Sequence, residues 1–140
     1  MEPDRLCNNA IILMSADPRA AAEYYRRILG FRAVEHLDKE EPFVALYRGG
    51  AEIILTQAAR GPVRPNHELY GSGCDAYLVT GNAGEDVDAL YAEFKAGGAD
   101  IVHPPALTDY GNYEFVLADT EQHWIAVGRI RQPEVYFGGA

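Results

Sequence analysis

"NNAIILMSADPRAAAEYYRRILGF", residues 8–31, reads as a strand, a turn and a helix in direct succession. Ala10-Ile11-Ile12-Leu13-Met14 is apolar on both faces, as a buried strand requires, which predicts a strand over residues 8–15. Asp17-Pro18 then opens a helix, since Asp is a favoured N-cap and proline suits the first helical position. Ala21, Tyr24, Tyr25, Ile28 and Leu29 recur at i, i+3, i+4, i+7 and i+8, which is one face of that helix. Gly30 is expected to end it in the left-handed conformation. Between Asn9 and Asp17 there is no histidine, carboxylate or strong nucleophile. A site bordered by this strand would have a chemically silent wall there.

Working outward, "FRAVEHL" (31–37) alternates apolar and polar residues, and "PFVALYR" (42–48) and "AEIILTQ" (51–57) flank Gly49-Gly50, a two-residue hairpin turn. Residues 58–72 contain two prolines and two glycines without periodicity and read as a long connection, either a linker or a lid. The pattern then begins again. "CDAYLVT" (74–80) reads as a strand and "GNAG" as a turn. "EDVDALYAEFKAGG" (85–98) is a helix with Val87, Leu90, Tyr91 and Phe94 on one face. "ADIVHPP" reads as a strand stopped by its prolines, and "NYEFVLAD" and "HWIAVGRI" as two more strands.

Both halves therefore run strand, helix, three strands. The expected fold is α+β: one domain over 1–140 built of two βαβββ modules, about 8–57 and 73–130. Together they would form a curved mixed sheet with a cleft and with the helices outside. Every second residue of each strand would line that cleft.

Composition narrows the function classes. The chain has 140 residues, 48% hydrophobic and 24% charged, a globular profile. Twenty-one acidic against 12 basic residues give a net charge of −9, which repels phosphate backbones and anionic membranes. Nucleic acid and membrane are not expected as partners. Cys7 and Cys74 lack metal-finger spacing; one disulfide between them is open, and two free thiols of a reducing compartment is the simpler reading. No signal-peptide pattern precedes the first strand, so a cytoplasmic location is expected.

Five segments carry a family likeness: "ADPRAAAEYYRRILGF", "ALYRGGAEIIL", "VDALYAEFKAGGADIVHPP", "YGNYEF" and "ADTEQHWIAVG". In order and spacing the chain resembles the vicinal oxygen chelate superfamily from about Asn8 to Gly128. That superfamily includes glyoxalase I, type I extradiol dioxygenases, fosfomycin-resistance enzymes and bleomycin-resistance proteins. The resemblance implies paired βαβββ modules around a U-shaped cleft, and a homodimer.

It also implies where metal-dependent members would place their ligands. Carried onto this chain, those positions fall on Ala10, Ile54, Asp75 and Ala126. Alanine and isoleucine have no lone pair to offer a cation. The expectation is therefore a cleft without metal or other cofactor and without catalytic residues, like the bleomycin-resistance branch. It would bind a small molecule, cationic or aromatic, through Ala10, Ile54, Asp75, Tyr77, Tyr110, Trp124 and Ala126. Asp75 would anchor an ammonium or amide, and Trp124 would offer a stacking surface. The alternative is an enzyme of the lyase, isomerase or dioxygenase kind, with a ligand set rebuilt from Glu52, His67, Asp75 or Glu114. A third reading uses Asp75 or Glu114 as a general base without metal. His36, His67, His103 and His123 match no ligand position and are expected at the surface or at strand ends.

Overall fold

The computed structural model describes residues 5–131, and the chain divides between Val63 and Arg64 into two compact units. The first unit holds β1 (Ile11–Ser15), α1 (Pro18–Arg27), β2 (Arg32–His36), β3 (Phe43–Arg48) and β4 (Ala51–Gln57). The second holds α2 (Asn66–Tyr70), β5 (Ala76–Val79), α3 (Glu85–Ala96), β6 (Asp100–Leu107), β7 (Asn112–Ala118) and β8 (Trp124–Ile130). The fold is α+β, with two four-stranded mixed sheets ordered β1-β4-β3-β2 and β5-β8-β7-β6. In each the first strand of the module runs parallel to the fourth, and the remaining pairs are antiparallel. This is the βαβββ order expected from the repeated pattern.

In the first unit the Asp17 carboxylate accepts from the Ala20 N–H at 3.2 Å, and Pro18 occupies the first turn of α1. The buried residues of α1 and the segment after it are Pro18, Ala21, Ala22, Tyr25, Leu29 and Phe31. They pack towards the sheet face carrying Leu13, Val44, Leu46, Ile53 and Leu55, all at most 4% exposed. Each such large side chain contributes about 1.5–3 kcal/mol by leaving water. The Arg48 guanidinium donates to the Leu29 carbonyl at 2.7 Å, satisfying an acceptor that α1 leaves at its end.

In the second unit Phe115 is the centre of the core under α3, with its ring edge-on to Tyr91 and Phe94. Leu117, Ile125, Val127 and Ala76 share that face by strand register. Asn82 caps α3 from outside, accepting from the Gly84 and Glu85 N–H groups.

The structure departs from the sequence reading in two elements. The connection over residues 58–72 carries α2, which lies in the second unit. The strand expected to stop at its prolines continues through Pro104-Pro105 to Leu107. It can do so because β6 is an edge strand whose pairing with β7 shifts register between Ile101 and His103, and again between His103 and Ala106. Prolines at such irregularities leave no ladder donor missing.

Candidate functional site

Alternation along the strands of the second unit sends two sets of side chains to opposite faces. Phe115, Leu117, Ile125 and Val127 go under α3, while Tyr77, Asn112, Glu114, Trp124, Ala126, Gly128 and His103 share the other face. The second set carries all the chemistry.

Glu114 is the hub of the upper part of that face. Its Oε1 accepts from the Tyr77 hydroxyl at 3.1 Å and from the Tyr110 hydroxyl at 3.0 Å. The Tyr77 oxygen in turn accepts from the Asn112 side-chain amide at 2.7 Å. Desolvation, then the charge of Glu114 and the hydrogen bond to it, push the Tyr77 phenol far above its ordinary value. Tyr110 is pushed in the same direction by desolvation and its bond to Glu114. Both phenols therefore stay protonated and act as donors. Glu114 itself is only 8% exposed. It fits because Gly128 lies opposite it in the β7–β8 ladder: a Cβ on Gly128 would stand 2.5 Å from the Cβ of Glu114.

Trp124 is the hub of the lower part. The His67 imidazole stacks on the indole with centroids 3.9 Å apart and planes 15° apart, while His103 meets it edge-on at 5.7 Å. A single carboxylate holds this arrangement. Asp75 Oδ1 accepts from the Asn66 backbone N–H at 2.9 Å, at the start of α2, and Oδ2 accepts from the Trp124 N–H at 2.8 Å. The His67 Nε2 also lies 3.2 Å from the Gln122 carbonyl. Gln122 has a positive φ of 67°, which aims that carbonyl within a tight turn.

Behind this turn Asp119 and His123 form a buried pair, 2% and 4% exposed. The Asp119 carboxylate accepts from His123 Nδ1 at 2.8 Å and from the N–H groups of Glu121 and His123. Burial works against a charged His123, but the bond to Asp119 and the charge of that carboxylate outweigh it, and its pKa is raised. His123 does stand at a strand end, as expected, but it is interior: the four-residue return from Asp119 encloses it.

The seven residues expected to bind ligand fall in different places. Ala10 is exposed just ahead of β1, and Ile54 is half-buried on β4 between Ile12 and Ala45; both belong to the first unit. Tyr77 and Tyr110 meet at Glu114, and Ala126 is the buried floor of β8 between Tyr77 and Val116. Asp75 and Trp124 are joined through the backbone of the latter, so the Asp75 oxygens are engaged by main-chain donors. The sequence points to Glu114 only for an enzymatic alternative and to His103 only as a surface or strand-end residue; His103 is exposed, within β6. The signal for Glu114 was present: it is the one charge inside the apolar run 112–118. Nothing in sequence places the His67 ring on Trp124.

These groups do not fit a mononuclear metal. Ala10, Ile54 and Ala126 have no donor atom, and Asp75 is already bonded to two N–H groups. Among the described residues no three of His, Cys, Asp and Glu converge to hold an ion. The Cys74 thiol is pushed up by desolvation and by the charges of Glu114 and Asp75, which suppresses the nucleophilic thiolate. No helix among the described residues is long and apolar enough to cross a membrane.

Residues 9–127 match the family model described as Glyoxalase/Bleomycin resistance protein/Dioxygenase superfamily. Among solved structures, TioX from Micromonospora sp. ML1 is 22% identical, covering 89% of this chain and 99% of its own, with a TM-score of 0.62. A glyoxalase/bleomycin resistance protein/dioxygenase from Alicyclobacillus acidocaldarius is 14% identical over 89% of this chain and 91% of its own, with a TM-score of 0.70. Virulence protein STM3117 from Salmonella typhimurium is 20% identical over 94% of this chain and all of its own (100%), with a TM-score of 0.61. At these identities the likenesses establish the fold. No curated protein matches the chain.

Proposed function

The chain belongs to the glyoxalase/bleomycin resistance protein/dioxygenase superfamily, and we propose that it is a small-molecule binding protein of that family, acting without a metal. Its site is the face of the second sheet opposite α3, and its ligand contains a planar ring. One observation carries this reading: the Trp124 indole already holds a flat ring, the His67 imidazole, in close stacking at 3.9 Å. A planar ligand takes the place of that imidazole. Stacking between flat π systems favours offset, near-parallel rings, and such a contact adds roughly 0.5–1.5 kcal/mol beyond the area it buries. The hydrocarbon at Ala10, Ile54 and Ala126, together with the engaged oxygens of Asp75, supports binding in preference to metal-assisted chemistry. Tyr77 and Tyr110, held as neutral phenols, supply fixed polar contacts beside the stacking surface.

Trp124 is the sole tryptophan of the chain, so its emission reports on this site alone. Titrating a panel of planar heteroaromatic compounds into the full chain should give saturable quenching for at least one member. A flat response across the panel, with calorimetry also silent, would remove the proposal.

A further inference from the structure

Glu114 is a carboxylate at only 8% exposure, and both hydrogen bonds it receives fall on one oxygen, Oε1. Among the described residues no lysine, arginine or histidine pairs with it, and Oε2 accepts no hydrogen bond. Every buried side-chain N or O atom among the described residues has a partner, so Oε2 is not sealed in apolar packing. The geometry leaves one oxygen of a largely covered carboxylate open and unbonded, directed to a position that an incoming hydrogen-bond donor can occupy. Two neutral phenols can share its charge but cannot neutralise it.

We infer that Glu114 is the recognition anchor for a cationic N–H group on the ligand, an ammonium, amidinium or protonated ring nitrogen, which docks on Oε2. This rests on reading the face as a ligand site and adds the charge of what binds there. Tyr77, Tyr110 and Asn112 are positioning residues: the two phenols hold Oε1, and the Asn112 amide fixes the Tyr77 oxygen at 2.7 Å. The free oxygen is thereby oriented before the ligand arrives. Asp75 differs in that each of its oxygens already accepts one main-chain N–H, so it braces the backbone and has no wholly unbonded oxygen. The net charge of −9 adds a long-range field that draws cations toward the protein. The ligand class is thus a planar ring bearing a protonated nitrogen.

Two probes of like shape separate this inference from the function it extends. Proflavine is planar and cationic at mildly alkaline pH, whereas acridine has the same tricyclic ring and is neutral. Calorimetric titration of the full-length wild-type chain should show proflavine bound roughly ten- to a hundredfold more tightly, the range of one charge-assisted hydrogen bond. Glu114→Gln should bring the two affinities to within a few-fold of each other, chiefly by weakening proflavine. Equal affinities in the wild type, or a preference that survives Glu114→Gln, would overturn the anchor while leaving the binding function standing. Binding of neither compound, with no quenching by the wider panel, would overturn both. Should Glu114→Gln fold poorly, repeating the wild-type comparison at high ionic strength, which screens the overall field, keeps the test: the preference for proflavine should persist, and its loss would overturn the anchor.

Discussion

The polar residues of the second sheet divide by what their atoms are already doing. Asp75 spends both oxygens on main-chain donors, whereas Glu114 spends one on two phenols and keeps the other. Equal charge thus gives a structural brace in one case and a recognition group in the other. His123 is a brace of a third kind. Its pKa is raised in the folded state because the bond and charge of Asp119, with further negative charge from Asp75 and Glu121, outweigh the burial that opposes ionisation. In the unfolded chain it titrates at about 6.5. The folded state holds the extra proton between those two values, so the stabilisation is complete below about pH 6.5 and is lost as pH rises through the folded-state value. Urea midpoints should therefore fall from mildly acidic to mildly alkaline pH more steeply for the wild type than for Asp119→Asn. Parallel pH profiles for the two proteins would contradict this role.

At the scale of elements, the helices and most strands follow from periodicity and end signals. Asp17-Pro18 opens α1 where the cap chemistry places it, and alternation in residues 112–118 puts Glu114 and Phe115 on opposite faces of β7. What could not be read depends on partners remote in sequence. Pro104-Pro105 sit inside β6 only because β7 tolerates register shifts beside them. The five-residue α2 has no helical period long enough to detect. Its position is set by Asp75, nine residues beyond Asn66, which ties the start of α2 to the N–H of Trp124. Asp75→Ala removes the acceptor for both donors and should cost roughly 1–3 kcal/mol. It should also loosen the His67–Trp124 stack, so that acrylamide quenches Trp124 more efficiently while unfolding stays cooperative. Unchanged quenching in a folded Asp75→Ala protein would show that α2 is held by other contacts.

At the scale of the molecule, each unit is a βαβββ module with the same strand order, and the two carry different chemistry. In the first, the face opposite α1 carries exposed apolar side chains, Ile12 at 63% and Met14 at 45%, with Ile54 beside them and Glu52, Tyr47 and Arg32 further along the ladder. In the second, the corresponding face carries Trp124, Glu114 and two phenols. The duplicated pattern was legible because strand and helix periods are local properties. The division of labour between modules was legible only in part. Side-chain identity shows which atoms can donate or accept, while their occupancy is decided by groups brought from elsewhere, Tyr77 and Tyr110 for Glu114 and the start of α2 for Asp75.

A family whose fold also hosts metal enzymes makes the metal the decisive variable. The most direct measurement is a proflavine isotherm on the full chain, read by calorimetry. It is taken first after exhaustive chelation and dialysis, then after adding back zinc, manganese, iron or nickel. The account predicts one saturable isotherm, unchanged in affinity and stoichiometry by any of these ions. Binding that vanishes on chelation and returns with a stoichiometric ion would contradict it.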